Sequence, residues 1–434
     1  MATLHYLFVI LLVAISILSG TSAGFTQGQV PAFVEPQAPA RVEAQSPARV
    51  ATRRSIPPSV GALPAATTSA YEELRRETND IAVSIVVSGL TCTCARFAED
   101  IRNVVNDLRP NGIRVLPVLG VGGLQNLNDV LFLRSTDMAV VDQDNLLLLK
   151  QRDPKLYANL EQRVQYITKL YTAEFHVLAT NDIKSYSDLK NRKVNFNLRD
   201  SQTEVTADRI FKMLNLPVDR SYYDNDEAIQ KLLQHEISAM IVLTGGPQAA
   251  LAKLRAEDGV HFLALDQESL PGRDLSTIRA EYMTTELTNK LYPNLIPDGT
   301  SIPTVANHAL LVSYAWPENT EKYRRIERFV NEFFGKIDKF KENSARHPKW
   351  AEFNVWTDIP GWTRFKPAAN WLAAHENVSA SNEPSNVKDM VGKLLENYQI
   401  TTGRKGISAT EKEFIIKEVV KQIRGQQTAA PISR

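Results

Sequence analysis

The sequence predicts an α/β protein made of two lobes. From Tyr71 onward, short apolar and β-branched runs alternate with segments whose apolar residues recur at helical spacing. This alternation predicts an α/β fold with a mainly parallel sheet. The rhythm begins again near residue 164, and a chain of 434 residues has room for two or three domains. A late extended run at residues 302–313 predicts a strand that returns to the first lobe, so a hinged cleft should form between the lobes.

The individual elements follow from the same periodicities. In the first lobe we predict strands at residues 81–87, 113–118 and 138–141, with helices at 95–108, from 125 and from 145. From residue 164 onward we predict strands at residues 164–170, 175–180, 193–197, 239–243 and 261–265, with helices at 185–190, 205–214 and 226–234 and a further one after Gly245. An amphipathic helix is predicted at residues 318–340, after the late strand.

The amino terminus has the pattern of a secretory signal. An apolar run from Tyr6 to Leu18 is followed by Ser19-Gly20 and then by small residues up to Ala23, where a signal peptidase would cut. Few charges precede this run, so an uncleaved membrane anchor stays open as the alternative. Residues 24–75 are rich in Pro, Ala and Gln and lack apolar periodicity, which predicts a disordered linker.

Composition and motifs exclude several classes of function. The net charge is +1, and no basic stripe is interleaved with aromatic residues, so we expect no nucleic-acid partner. Neither a dinucleotide-binding fingerprint nor a P-loop occurs, so we predict no cofactor. The seven histidines are scattered without metal-ligand spacing, so we predict no metal.

The two cysteines, Cys92 and Cys94, allow more than one interpretation. They could pair in an exported protein, although one intervening residue makes a strained ring. Cys92 could instead be a nucleophile at a helix N-terminus, but it would need a base such as His176. His176 lies inside an apolar strand, which favours a buried histidine, and we therefore expect no enzymatic activity.

Four loops follow predicted strands directly and are rich in Gly, Ser and Thr. Ligands of open α/β sheets collect at the carboxyl ends of strands, where helix N-termini meet. The loops therefore predict a site for a small anionic ligand, although the hydroxyls could simply cap helices. The four loops are residues 88–94, 119–123, 197–204 and 244–246.

An ordered series of motifs resembles the TAXI-type solute receptors of tripartite (TRAP) transporters. The resemblance covers residues 81–340, and its specificity lies in the order of the pieces. They are SGLTCTCARFAEDI, VLPVLGVGGLQNLNDV, DMAVVDQDN, KLYTAEFHVLA, SDLKNRKVNFNLRDSQTEVTADRIF, LQHEISAMIVLTGGPQAAL and YPNLIPDGTSIPTVANHALLVS.

The resemblance implies a type II-like periplasmic-binding-protein fold, with two α/β lobes around a hinged ligand cleft. It implies a periplasmic receptor that binds a small organic acid, such as glutamate or 2-oxoglutarate, and delivers it to a membrane-embedded TRAP permease. The alternative is a ligand-binding sensor or adaptor of the cell envelope that is not coupled to transport.

The resemblance also assigns ligand-binding residues by position. The residues that it assigns are Ser88, Thr91, Cys92, Thr93, Gly122, Gly123, Gln125, Asp142, Gln143, Tyr171, Glu174, Ser201, Thr203, Glu204, Thr244 and Gly245. Arg199 is a further candidate by its own chemistry, since a guanidinium could bind a ligand carboxylate, unless it faces solvent and pairs with Asp200. Cys92 and Cys94 depart from the Gly-rich first loop of the family, and Arg199-Asp200 replaces its common Pro-Gly pair.

The domain boundaries complete the prediction. The signal occupies residues 1–23 and the linker residues 24–75. Lobe I is discontinuous, with residues 76–180 and 302–342, and lobe II spans residues 181–301. Residues 343–434 form a C-terminal extension, mostly helical, with amphipathic helices at 384–398 and 409–424.

Overall fold

A sheet of ten strands runs through both lobes. The structure is a computed structural model and describes residues 65–107, 109 and 112–381. These described residues all belong to one compact unit of the chain. The predicted signal, most of the linker and the two predicted C-terminal helices lie outside the described residues.

The first lobe begins with an exposed helix and continues as strands and helices in alternation. Its elements are α1 (Ala65–Asp80), β1 (Ala82–Val87), α2 (Thr93–Val105), β2 (Arg114–Leu119), α3 (Gly123–Phe132), β3 (Met138–Asp142), α4 (Asn145–Arg152) and α5 (Leu160–Arg163). The long strand β4 (Val164–Thr180) then leads into the second lobe. Residues 65–75, expected in the linker, are thus helical, and the predicted domain boundaries otherwise stay predictions.

The second lobe repeats the pattern with shorter strands. Its elements are β5 (Lys193–Asn195), α6 (Gln202–Met213), β6 (Asp219–Ser221), α7 (Asn225–Leu233), β7 (Ala239–Thr244), β8 (Val260–Phe262), α8 (Ser276–Glu281) and β9 (Met283–Thr288). Single 3-10 turns occur at Tyr186–Leu189, Leu251–Lys253 and Ala256–Asp258. Strand β10 (Ser301–Tyr314) returns to the first lobe and is followed by α9 (Glu321–Phe334), α10 (Ile337–Lys341), a 3-10 turn at Pro348–Glu352 and α11 (Lys366–Ser381).

Both lobes have the same strand order. In the first lobe the order is β2-β1-β3-β10-β4, and in the second it is β6-β5-β7-β4-β8. In each lobe three parallel strands are joined by one long strand that is shared with the other lobe and runs antiparallel to its neighbours. Strands β4 and β10 pair with each other and cross between the lobes. This is the type II periplasmic-binding-protein arrangement, so the predicted fold class is confirmed.

Three predicted details are wrong. The sheet is mixed rather than mainly parallel, because β4 and β10 run antiparallel to their neighbours. The strands predicted at residues 164–170 and 175–180 form one strand, because pairing with β10 and β7 continues through the polar residues between them. The helix predicted at residues 318–340 ends at Phe334, and a second helix begins at Ile337 after Gly335-Lys336.

The described part of the C-terminal extension is built into the first lobe. Trp350 stacks on Phe97 of α2 with ring centroids 4.1 Å apart, and its indole N–H donates to the Asp100 carboxylate at 2.8 Å. Further along, the N–H of Phe365 donates to the carbonyl of Tyr166 on β4 at 2.8 Å. This segment therefore packs against the outer part of the long strand that joins the lobes. Within residues 65–381, no helix combines the length and the apolar character that crossing a membrane requires.

Candidate functional site

A cavity of about 100 Å³ lies between the two lobes, where the carboxyl ends of their parallel strands face each other. Its walls come from the loops that follow β1, β2, β5 and β6 and from the last residues of β3 and β7, together with Tyr171 and Ala173 of β4. This is the crevice in which open α/β sheets bind ligands. We call it the interlobe cleft.

Four helices begin at the interlobe cleft, two from each lobe. They are α2, α3, α6 and α7, and residues at each of their N-termini line the cavity. The first-turn amides of a helix have no partner within the helix, and the helix dipole makes this end positive. Side chains partly cap the two ends in the second lobe: Ser201 Oγ accepts from the Glu204 N–H at 3.2 Å, and Asp224 accepts from the Glu227 N–H at 2.9 Å. The remaining amides make the cleft favourable for negatively charged groups.

The cysteines at the start of α2 are joined to each other. Cys92 and Cys94 form a disulfide with a Cα–Cα distance of 5.2 Å, so neither is a free thiol in this form. The Cys92 sulfur also accepts the backbone N–H of Cys94 at 3.1 Å and thereby caps α2. The Cys94 sulfur accepts the N–H of Ser88 at 3.3 Å. The disulfide therefore shapes the first loop of the cleft, and no thiolate is present there to act as a nucleophile.

Asp142 is the most perturbed acid of the cleft. It ends β3, its side chain is buried, and its Oδ2 has no hydrogen-bond partner among residues 65–381. Burial raises the pKa of Asp142 well above its usual range, and the nearby Asp144 carboxylate adds to this effect. Burial likewise raises the pKa of Tyr171, whose ring forms the back wall. An ionised Asp142 would therefore be favoured by a partner that donates hydrogen bonds or carries positive charge.

Most of the residues assigned by the family resemblance lie at this cavity. Those that line it are Ser88, Thr91, Cys92, Gly122, Gly123, Asp142, Tyr171, Ser201, Thr203 and Thr244. They come from both lobes and from β4, as a cleft between hinged lobes requires. Whether each of them contacts ligand stays a prediction.

Glu174 has a structural partner outside the cavity. Its carboxylate forms a buried ion pair with Lys349 and accepts the backbone N–H of Gly246 at 2.8 Å. Burial raises the pKa of Glu174, and the Lys349 ammonium opposes that effect. Glu174 therefore connects β4 to the C-terminal segment, and both of its oxygens are already occupied.

Thr93 and Gly245 contact each other rather than the cavity. The Thr93 hydroxyl donates to the Gly245 carbonyl at 2.7 Å and accepts from the Thr244 hydroxyl at 3.1 Å. The Gly245 Cα faces the Tyr171 ring, since an added Cβ would lie 2.9 Å from it. These bonds join the two lobes directly beside the cleft.

The other four assigned residues also lie away from the cavity wall. Arg199 is exposed, and its guanidinium stacks over the Tyr222 ring at 3.8 Å; its neighbour Asp200 pairs with Arg152 of the first lobe at 2.6 Å. Glu204 accepts the Asp200 N–H at 3.3 Å, which closes the helix cap. Gln125 faces outward on α3, and the Gln143 carbonyl accepts the Trp362 indole N–H at 2.9 Å.

Several lining residues are not among the individually assigned ones, although Asn197 and Gln202 lie in the predicted loop at residues 197–204. The most polar are Asn126, Asn197, Gln202, Asp224 and Asn225. Asp224 and Asn225 follow β6, a strand too short to detect from apolar residues, although Asp224 followed by two acidic residues is a helix-start signal. Asn126 lies one turn into α3, and its side chain holds the Gly122 N–H at 3.1 Å, so it shapes the second loop.

The lobes are in contact across the cleft. Asn225 donates to the Thr91 hydroxyl at 3.3 Å, and the Gln248 side chain donates to the Thr91 carbonyl at 3.3 Å. Gly123, at φ +55°, fits against the loop of the other lobe so closely that an added Cβ would lie 2.7 Å from the backbone N of Gln202. The structure is therefore the closed arrangement of the two lobes. In the described ranges there is no group of three or more His, Cys, Asp or Glu that could hold a metal ion.

Comparisons with known proteins find a match to a family over part of the chain. Residues 109–321, slightly less than half of the chain, match the sequence model of the NMT1-like family. No curated protein matches the chain.

Solved structures with similar folds are distant in sequence. The L-arginine-bound amino acid ABC transporter substrate-binding protein AbpA from Streptococcus pneumoniae is 13% identical, over 61% of this chain and 94% of that one, with a TM-score of 0.33. A structure described as a periplasmic transporter is 11% identical, over 69% and 97%, with a TM-score of 0.41. The regulatory domain of Synechocystis CcmR in complex with 2-PG is 11% identical, over 57% and 95%, with a TM-score of 0.35. At this distance the similarities carry no argument about a ligand.

Proposed function

We propose that this protein is an extracytoplasmic receptor for a small solute with a carboxylate group. The observation that carries the proposal is the convergence of four helix N-termini, two from each lobe, on one cavity between the lobes. Amides and dipoles of this kind favour a carboxylate without requiring a basic side chain. The cavity volume of about 100 Å³ suits a small solute rather than a peptide or a nucleotide.

The hinge supports a receptor more than an enzyme. Strands β4 and β10 alone cross between the lobes within one sheet, and the lobes meet through a few hydrogen bonds beside the cleft. A ligand that contacts both lobes would favour this closed arrangement over an open one. A membrane partner can recognise the surface that the closed form presents. Because the chain resembles TAXI-type receptors, we propose that this partner is a TRAP permease in the bacterial envelope.

Calorimetry and thermal unfolding test the receptor function. The chain from residue 24 onward would be titrated with small amino acids, dicarboxylates, keto acids and hydroxy acids. We expect at least one to bind and to raise the midpoint of thermal unfolding, since a ligand at 100 times its Kd stabilises by about 2.7 kcal/mol. Absence of heat and of stabilisation across the panel, together with no small molecule in mass spectra of the purified protein, would contradict the proposal.

The permease partner needs a separate experiment. A TRAP permease would be reconstituted in vesicles, with uptake of the bound solute measured with and without this protein. We expect uptake only when the receptor and an ion gradient are both present. Binding of the solute without any stimulation of uptake would instead support the alternative, a sensor or adaptor of the cell envelope.

A further inference from the structure

The side chains of the interlobe cleft do not match a purely anionic ligand. Among the described residues that line it, none is Lys, Arg or His, whereas Asp142 and Asp224 are both acids. Arg199, the one cation that the sequence placed near the cleft, is exposed and stacks on Tyr222 instead. An anionic group of the ligand must therefore be bound by backbone amides and hydroxyls. The presence of the two acids in the cleft needs a separate explanation.

The two acids differ in what they already bind. Asp224 begins α7 and accepts the N–H of Glu227 at 2.9 Å, so it serves as a helix cap. Asp142 is only 5% exposed, and its Oδ2 has no hydrogen-bond partner. A buried carboxylate without a partner is costly, and in natural proteins such a group usually has a function. Asp142 is thus the acid that requires a ligand group.

A second buried acceptor lines the cleft from the opposite lobe. The side-chain oxygen of Gln202 is also without a hydrogen-bond partner. The orientation of this amide is fixed, because its nitrogen donates to the Asp144 carboxylate at 3.3 Å and to the Thr206 hydroxyl at 3.2 Å. Both lobes therefore present an acceptor that lacks a donor, and an ammonium group carries three donors and a positive charge.

The remaining walls favour the opposite charge. The N-termini of α2 and α3 in one lobe, and of α6 and α7 in the other, direct amides and positive dipole ends at the same cavity. A ligand that satisfies the whole cleft must therefore carry a negative and a positive group close together. An α-amino acid has both on adjacent atoms and fits a small cavity.

We infer that the ligand is a zwitterionic amino acid whose ammonium pairs with Asp142 and Gln202 while its carboxylate meets the helix N-termini. This inference rests on the proposed receptor function and narrows its ligand class. Keto acids, hydroxy acids and dicarboxylates with the same carbon skeleton would leave both acceptors unpaired and should be rejected. A site built around a hydrogen bond can reject an analogue that lacks the donor by a large factor.

Matched pairs of ligands test the inference. Calorimetry would compare L-glutamate with 2-oxoglutarate, L-aspartate with L-malate, and L-alanine with pyruvate and L-lactate. In whichever pair binds, we expect the amino acid to bind at least 100-fold more tightly than its partner. An oxo or hydroxy acid that binds as tightly as the amino acid would overturn the inference while leaving the receptor function intact. Failure of every compound to bind would overturn both.

Two variants identify the residue responsible. Asp142→Asn should weaken binding of the amino acid at least 100-fold and change the weak binding of its oxo or hydroxy partner less than threefold. Asp298→Asn, at an exposed acid outside the cleft, is the control and should leave the affinity unchanged. If Asp142→Asn binds the amino acid as well as the natural protein does, the assignment of the ammonium to Asp142 is overturned. Circular dichroism would verify that both variants are folded.

Discussion

Lys349 in the C-terminal segment forms an ion pair with Glu174 on β4, and the two side chains are 5% and 4% exposed. Burial alone would lower the pKa of Lys349, but the carboxylates of Glu174 and Glu352 outweigh it and raise the pKa. The pair lies where β4 passes from one lobe to the other, since Glu174 also holds the Gly246 N–H of the second lobe. The C-terminal segment is therefore a structural part of the hinge region.

Removing one member of this pair should destabilise the protein strongly. Lys349→Met leaves Glu174 buried without a countercharge, which typically costs 3–5 kcal/mol. We expect Lys349→Met to lower the free energy of unfolding by about this amount in urea titrations. The double variant Glu174→Gln with Lys349→Met should recover most of the loss, because no unpaired charge remains.

The control for this prediction is the other partner of Lys349. Glu352 is 49% exposed, so Glu352→Gln should cost less than about 1 kcal/mol. Equal effects of Lys349→Met and Glu352→Gln would contradict the role given to the buried pair.

Closure of the cleft depends on a glycine. Gly123→Ala places a Cβ 2.7 Å from the backbone N of Gln202 and 2.9 Å from the carbonyl oxygen of Asp200, and backbone atoms cannot easily move away. We expect this variant to keep the lobes apart and to weaken ligand binding at least 100-fold. Small-angle X-ray scattering should then show no decrease in the radius of gyration when ligand is added.

A control variant must distinguish backbone strain at a positive φ from the clash between the lobes that Gly123→Ala causes. Gly299 has φ +74° and nothing within 4 Å of an added Cβ, so Gly299→Ala strains the backbone without touching the other lobe. Both variants should lose some stability, but only Gly123→Ala should lose closure. Loss of affinity in both would show that strain, rather than contact between the lobes, is responsible.

The lobes and the cleft could be predicted because they rest on local patterns. Apolar periodicity located most of the strands, and the rule that ligands collect at strand carboxyl ends located the four loops. The residue assignments came from the family resemblance, and ten of those residues line the cavity. The rule did not reveal Asp224 and Asn225, because β6 has only three residues and little apolar pattern. Short strands are defined by pairing with a neighbour and not by their own sequence.

The remaining differences between the expected and the observed surroundings of these residues come from partners that are distant in sequence. From the sequence, Glu174 resembles an acid of the cleft. Its partner in the ion pair, Lys349, lies 175 positions away in the chain and can be identified only in the structure. From the sequence, Arg199 resembles a side chain that binds a carboxylate, but in the structure its guanidinium stacks on the Tyr222 ring. The pairing of Cys92 with Cys94, which the sequence left open, is also a property of the folded loop.

His176 should make the protein sensitive to acid. It is buried between the Tyr292 hydroxyl, 2.8 Å from Nε2, and the Glu174 carbonyl, 2.8 Å from Nδ1, and burial lowers its pKa from 6.5 to about 4. Because the pKa of His176 is lower in the folded protein than in the unfolded chain, the stability that the neutral imidazole contributes is complete above pH 6.5. That stability is lost as the pH falls toward 4. The loss from this residue is about 3 kcal/mol at 1.36 kcal/mol per pKa unit.

Urea unfolding at pH 7.5 and pH 4.5 measures this effect. In His176→Gln the difference between the two pH values should be smaller by about 2–3 kcal/mol than in the natural protein. His235→Gln, at an exposed histidine, serves as the control and should leave the difference unchanged. A pH dependence that is the same in all three proteins would contradict the prediction.

Asp142 should destabilise the protein at neutral pH when no ligand is added. Burial raises its pKa well above the usual range, so the folded state holds a proton that the unfolded state releases. The sign is therefore opposite to that of His176: stability is greatest below the ordinary pKa of about 3.9 and falls as the pH rises through the folded value.

Asp142→Asn, which cannot ionise, should unfold at a higher temperature than the natural protein at pH 8, and the difference should shrink toward pH 4. Addition of the bound amino acid at pH 8 should reverse the order, because only the natural protein gains the ion pair. A variant that is less stable than the natural protein at pH 8 without ligand would mean that Asp142 has a stabilising partner within the fold.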